Sequence, residues 1–184
     1  MRTFDFTIIA SGIDPNEENF EDRFFEAGCG DATISFQKGA LTLEFSREAK
    51  NFSQALFSAI RAAITAGAKV EHIEPDHLVN LSDIAERAGL SRAAASLYAK
   101  GDRRQNFPPP VARVTTDSPL WDWVPVARWL FRERKAIKRR MVIEAKVVRG
   151  ANLAIQRAEG FERSVFSKKL MQFAERAGSN RAAA

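Results

Sequence analysis

Residues 81–100 read Leu-Ser-Asp-Ile-Ala-Glu-Arg-Ala-Gly-Leu-Ser-Arg-Ala-Ala-Ala-Ser-Leu-Tyr-Ala-Lys, and the rest of the chain is best read outward from them. Ile84, Ala85 and Ala88 recur at helical spacing and form the inner stripe of a short helix. Gly89 supplies the positive φ that ends it. Leu90 plugs the corner, and Ser91 is placed to cap a second helix with its hydroxyl. In that second helix Ala95 and either Tyr98 or Leu97 face inward, while small Ala85 lets the two helices cross closely.

Two short helices in this register, with a basic flank, favour a DNA-binding helix-turn-helix over an ordinary helical hairpin. In that motif the second helix lies in the major groove with its N-terminal residues near base edges. The exposed candidates are Ser91, Arg92, Ala93, Ser96 and Lys100. Arg92 alone is able to make a bidentate contact to guanine O6 and N7. Ser91 and Ser96 suit phosphates or undemanding base contacts, Lys100 suits a phosphate, and Ala93 has only a thymine methyl to meet. Such a helix is poor in direct readout, so specificity needs help from its flank.

That flank begins with the polar, basic loop Gly101-Asp102-Arg103-Arg104-Gln105-Asn106. Arg103, Arg104, Gln105 and Asn106 are read as contacts to a neighbouring groove or backbone. Phe107–Val111 with Arg113-Val114 reads as a first short strand, Asp117-Ser118-Pro119 as a turn, and Leu120-Trp121 as the return strand. A hairpin in this place is a wing, with Arg113 its basic residue. Trp123, Val126, Trp129 and Leu130 then recur at helical spacing, and Trp121, Trp123 and Trp129 are read as core.

Gly-Leu-Ser-Arg (89–92), Phe-Pro-Pro-Pro-Val (107–111) and Trp-x-x-Val-x-x-Trp-Leu (123–130) resemble the winged helix-turn-helix of MerR-like and AlpA-like phage regulators and excisionases. The resemblance covers about residues 80–131. It implies sequence-specific double-stranded DNA binding, as a transcriptional regulator or a recombination accessory factor. The loop at 101–106 is longer and more basic than the short link usual in that family.

Upstream, Phe4, Phe6 and Ile8 alternate with polar residues as in a half-buried strand. Asp14-Pro15 is placed to open a helix over roughly 15–27, with Phe20, Phe24 and Ala27 on one face and Glu17, Glu18, Glu21, Asp22 and Glu26 on the other. Ala32, Ile34 and Phe36, then Leu41, Leu43 and Phe45, alternate around a Lys38-Gly39 turn as a hairpin. Phe52, Ala55, Leu56, Ala59, Ile60 and Ala63 stripe a helix that Gly67 stops, and Val70–Ile73 makes a last strand. This order predicts a ferredoxin-like split βαβ domain over 1–75. Its open face would show Asp5, Thr7, Thr33, Ser35, Thr42 and Glu44, not the aromatics that base stacking by an RNA-reading sheet requires.

Downstream, Arg128, Arg132, Arg134, Lys135, Lys138, Arg139 and Arg140 form a basic run read as helical, with Lys138, Arg139 and Arg140 assigned to phosphates. Ile137, Met141, Ala145, Val148, Ala151 and Ile155 stripe a helix with Gly150 as its weak point, and Phe161, Val165, Phe166, Leu170 and Phe173 stripe another. The expected architecture is therefore α+β. A ferredoxin-like domain (1–75) precedes a winged helix-turn-helix (78–135), C-terminal helices that form a homodimer (136–177) and a frayed tail (178–184).

Charge sharpens the division. The 184 residues carry a formal +5, yet residues 1–75 hold 7 basic and 12 acidic side chains, and residues 76–184 hold 21 and 11. An acidic segment joined to a basic one points to an anionic partner for the second. The alternative is an antitoxin-like interaction protein whose acidic domain binds a basic protein partner. No apolar run approaches the ~20 residues of a membrane span, the N-terminus lacks a secretory h-region, and single Cys29 suits a reducing cytoplasm. His72 and His77, with no third ligand, make a weak zinc motif. No phosphate-binding glycine loop or catalytic serine motif occurs, so no enzyme, metal or cofactor is expected.

Overall fold

The computed structural model describes residues 1–133 and 137–158: a mixed α+β chain with a four-stranded antiparallel sheet and six α-helices. It divides into two compact units, one formed by Met1–Pro75 with the chain from Gly150 onward, the other by Asp76–Arg149.

In the first unit the alternating apolar residues lie on strands. These are β1 (Arg2–Ser11), β2 (Ala32–Gln37), β3 (Ala40–Ala49) and β4 (Lys69–Glu74), in the order β2-β3-β1-β4 with every neighbour antiparallel. Phe6 pairs with Phe45 and Ile8 with Leu43, so large side chains of adjacent strands meet on one face. The Phe6 and Phe45 rings stack at 5.4 Å, and Phe52 meets Phe4 and Phe6 edge-on at 5.8 Å each. Phe52 opens α2 (Phe52–Thr65), which buries the stripe that its spacing predicts. Asn51 caps it by accepting from Gln54 N (2.9 Å). Gly67, at φ 95°, ends it, with Gly67 N donating to Ile64 O and Ala68 N to Ala63 O, both at 3.0 Å.

The first helix differs from expectation. It starts at Phe20, not near Pro15: α1 spans only Phe20–Phe24 and continues as a wider π turn over Phe25–Cys29. Asp14 does not cap it, because its carboxylate accepts from Asn16 N two residues on (2.9 Å) and holds a local turn. Phe24 is fully buried, whereas Phe25 is 72% exposed. Of the face expected to be open, Thr42 is 6% exposed and therefore buried.

One cation is taken into this core. Arg47, on the inward register of β3, donates from Nε and Nη2 to Asp31 (2.8 and 2.6 Å), from Nη1 to Ser58 Oγ (3.2 Å), and from Nη2 to Gly28 O. Its guanidinium also covers the Phe45 ring at 4.7 Å. The Arg47 hydrogen bonds hold the Asp31 carboxyl below the usual carboxylate range. Burial pushes the neighbouring Cys29 thiol up to about 11, so it stays protonated and unreactive.

The second unit contains β5 (Leu78–Val79), α3 (Leu81–Ala88), α4 (Arg92–Lys100), β6 (Trp121–Asp122), α5 (Trp123–Arg132) and most of α6 (Arg139–Ala158). Trp121, Trp123, Val126, Trp129 and Leu130 are core, as their spacing predicts. Trp121 Nε1 donates to Pro108 O (3.1 Å) and Trp129 Nε1 to Gln105 O (3.3 Å), so neither buried indole N–H is orphaned. Asp122 caps α5 through Val124 N (2.9 Å) and pairs with Arg149 (3.0 Å).

Two expectations change here. Residues 107–111 do not form a strand. Pro108, Pro109 and Pro110 lack the N–H that a ladder needs, and the hairpin closes through a single bridge, Ala112 to Leu120. Trp121 pairs instead with Val79 of β5. The basic run is not one helix either: Arg128 and Arg132 lie on α5, Lys138 precedes α6, and Arg139 and Arg140 open α6. Arg134 and Lys135 lie outside the described residues, as do the expected helix at 161–173 and the tail at 178–184.

The end of α6 belongs to the first unit and treats one sheet edge specifically. Asn152, fully buried, accepts from Ile73 N (2.8 Å) and donates to Ile73 O (2.9 Å). Its amide thus satisfies the peptide groups that β4 turns away from the sheet. No described helix is long and apolar enough to cross a membrane.

Candidate nucleic-acid interface

The α3–α4 pair is fixed by short-range chemistry at each end. Asn80 accepts from Ser82 N (2.7 Å) and Asp83 N (3.1 Å), and Asp83 reciprocates by accepting from Asn80 N (2.8 Å). Helical periodicity does not reveal this reciprocal cap; the Asn80-x-x-Asp83 spacing is its signal in the sequence. Gly89 sits at φ 62°, and a Cβ there would meet nothing within 4 Å, so the glycine is needed for its dihedral angle and not for space. Gly89 N donates to Glu86 O (3.1 Å) and Leu90 N to Ala85 O (2.8 Å), closing α3. Ser91 Oγ accepts from Ala94 N (3.2 Å) as the α4 cap.

Tyr98 is the inward residue of α4, not Leu97. Tyr98 meets Trp129 at 5.1 Å between ring centroids and stacks near Phe107 at 6.5 Å, whereas Leu97 is 41% exposed. The outer side of α4 therefore carries Arg92, Ala93, Leu97 and Lys100, with Ser96 half-buried between them. The α4 residues include no Asp or Glu. Arg92 and Lys100 have no ion-pair partner among the described residues.

The loop after α4 is anchored. Phe107 inserts beside Trp129 (5.0 Å), the Gln105 carbonyl takes the Trp129 indole, Arg104 pairs with Glu133, and the Arg103 guanidinium lies 5.8 Å from the Tyr98 ring. All four side chains from Arg103 to Asn106 are exposed, but Arg104 already has a carboxylate and Arg103 is held over a ring. Asn106 adopts φ 61°, which asparagine tolerates better than most residues. At the hairpin tip Arg113 is exposed at φ 50°, and its carbonyl accepts from Thr116 N (3.0 Å) and Thr116 Oγ1 (2.9 Å).

Lys138, Arg139 and Arg140 are exposed at the start of a 20-residue helix that has no acidic residue in its first turn. Cations at a helix N-terminus oppose the macrodipole, so this placement is not a helix-stabilising one; an external anion would relieve it. Arg87, in contrast, is drawn inward: it donates to Asp76 O (2.7 Å) and covers Trp123 at 5.6 Å, and burial lowers its pKa. Residues 76–149 hold 15 basic and 8 acidic side chains, a formal +7.

His72 belongs to the first unit and His77 to the second. Asn152 Nδ2 lies 3.5 Å from His72 Nε2, while buried His77 Nδ1 lies 3.0 Å from Asp76. Among the described residues no three His, Cys, Asp or Glu side chains are grouped to hold a metal ion. No protein-family model matches the chain, and no curated protein or solved structure matches it either.

Proposed function

We propose that this protein binds double-stranded DNA sequence-specifically, as a transcriptional regulator of bacterial or phage type. In this reading α3 and α4 are a helix-turn-helix, and the hairpin closed by Ala112 and Leu120 is its wing. One observation carries it: α4 is capped at both ends and lends its outer side to Arg92, Ala93, Ser96, Leu97 and Lys100, with no acid on the helix and exposed cations at Arg103, Arg113 and Lys138–Arg140. The first unit is read as a ferredoxin-like domain, supported by the order β2-β3-β1-β4 with both connecting helices. Two copies, joined through residues 136–177, would set their α4 helices about 34 Å apart on a palindromic site. Mass in solution tests that part, and a monomer unchanged by DNA removes it.

The division of labour is tested on sequences selected from random duplex DNA. Arg92→Ala is expected to cost about 1–3 kcal/mol and to relax preference at one base pair. Replacing Lys138, Arg139 and Arg140 by alanine is expected to weaken all sequences alike and to reduce the salt slope by about 0.9 for each phosphate no longer neutralised. Equal losses on every sequence from both variants would refute it, and absence of any selected sequence would refute the function.

A further inference from the structure

The two edges of the first unit's sheet are treated differently. At β4 the outward peptide groups of Ile73 are taken up by Asn152. At β2 nothing equivalent occurs among the described residues. Ser46 N donates to Asp31 O (3.1 Å), and antiparallel alternation then turns Thr33, Ser35 and Gln37 toward β3. The N–H and C=O groups of Ile34 and Phe36 consequently point away from the sheet.

Natural edge strands are blunted by charge, proline, a bulge or shortness. The six residues Ala-Thr-Ile-Ser-Phe-Gln carry no charge and no proline, and their register with β3 runs without a shift. Strand-forming Thr, Ile and Phe make this a competent edge, uncovered among the described residues. Lys38 is exposed at the turn end of the strand, and α1 beside it supplies an aromatic and acidic surface. Phe36 is 37% exposed and meets Phe20 of α1 edge-on at 5.9 Å, which brings α1 against the strand. Glu18, Glu21, Asp22 and Glu26 are exposed on and around α1, and Arg23 pairs with Glu17 (2.8 Å).

We propose that β2 is a strand-addition site for a basic, extended segment of a partner protein. Main-chain hydrogen bonds to Ile34 and Phe36 supply the pairing, Phe36 receives an apolar side chain, and the α1 carboxylates select lysine or arginine. Charge decides the occupant. A second copy would bring together two surfaces drawn from segments of 12 acidic and 7 basic residues, whereas a cationic strand is attracted. The site is drawn from residues of the first unit alone.

The test uses the full chain and a fluorescent Lys-Val-Lys-Val-Lys-Val-Lys peptide, read by anisotropy. Saturable binding is expected, weakened by about tenfold or more when alternate peptide nitrogens are methylated, because charge is kept and pairing is lost. Phe36→Pro removes an outward N–H that the fold does not use, so it is expected to keep the circular dichroism spectrum and to weaken binding comparably. Glu21→Lys with Asp22→Lys supplies a second variant that leaves β2 intact and is also expected to weaken it. No saturable binding, or equal binding of the methylated peptide, overturns the proposal. So does self-association of the chain that Phe36→Pro abolishes, since the occupant is then a second copy.

Discussion

Arg47 and Arg92 are the same residue type put to opposite uses. In the first unit Arg47 lies in the core, its guanidinium held by Asp31, Ser58 and the Gly28 carbonyl. In the second, Arg92 stands in solvent with no ion-pair partner among the described residues, while cohesion comes from Trp121, Trp123, Trp129 and Tyr98. A buried cation answered on several sides serves architecture; an exposed one with no carboxylate beside it contributes little to cohesion and is left to solvent. Residues 1–75 carry an excess of acidic side chains and residues 76–149 an excess of basic ones, so the two segments differ in the sign of their net charge.

The contrast is breakable. Trp129→Ala is expected to be the most damaging change, about 3–5 kcal/mol, because it removes the ring that meets both Tyr98 and Phe107. Urea unfolding followed by tryptophan fluorescence measures it, and a loss below 1 kcal/mol would mean that aromatic packing does not hold the second unit. Next comes Arg47→Met. It leaves Asp31 and the Gly28 carbonyl without their donor, at an expected cost of about 2–3 kcal/mol, toward the low end for a broken buried pair because Asp31 is partly exposed.

The Arg47–Asp31 pair also has a pH signature. Asp31 titrates below its ordinary 3.8 in the folded chain, so its contribution is present above that value and is lost as pH falls through the lower folded one. Wild type is therefore expected to lose stability on acidification below about pH 4 more steeply than Arg47→Met. Parallel acid-unfolding curves for the two proteins would show that the pair contributes no such linkage.

Asn152→Ala is expected to cost about 1–3 kcal/mol, since both peptide groups of Ile73 lose their partner while buried. Amide hydrogen exchange at Ile73 reads it directly, and unchanged protection there would mean that the edge is closed by something else. The smallest effect on stability belongs to Arg92→Ala, within about 0.5 kcal/mol, because the side chain is exposed. A large destabilisation by Arg92→Ala would erase the distinction between the two arginines.

Much of the fold is legible in the sequence. Strand alternation placed Phe4, Phe6 and Ile8 with Leu41, Leu43 and Phe45, and helical spacing placed the buried stripe of α2 except Ala62. Gly89 and Ser91 act where their residue types predicted, because a left-handed dihedral angle and an N-cap are decided within a few residues. Asp14 and Pro15 misled for the same local reason: a turn bonded to Asn16 competes with a helix cap on equal terms. At 108–110 the missing donors of three prolines argued against a strand that the hairpin pattern nevertheless invited.

By itself the sequence determined the two periodicities, the stops and caps, the separation of acidic from basic segments, and the candidate set from Ser91 to Arg140. All of these depend on neighbours within one or two turns of chain. Only the tertiary structure decided that Tyr98 rather than Leu97 packs on Trp129, that Arg104 is taken by Glu133, that Arg47 is a core residue, and that Asn152 bonds the peptide groups of Ile73 at one sheet edge. Each of those outcomes joins groups well separated along the chain, from 16 residues apart for Arg47 and Asp31 to 79 for Asn152 and Ile73. A polar side chain's local pattern is the same whether it meets water, a distant carboxylate or a peptide edge, and packing alone selects among them.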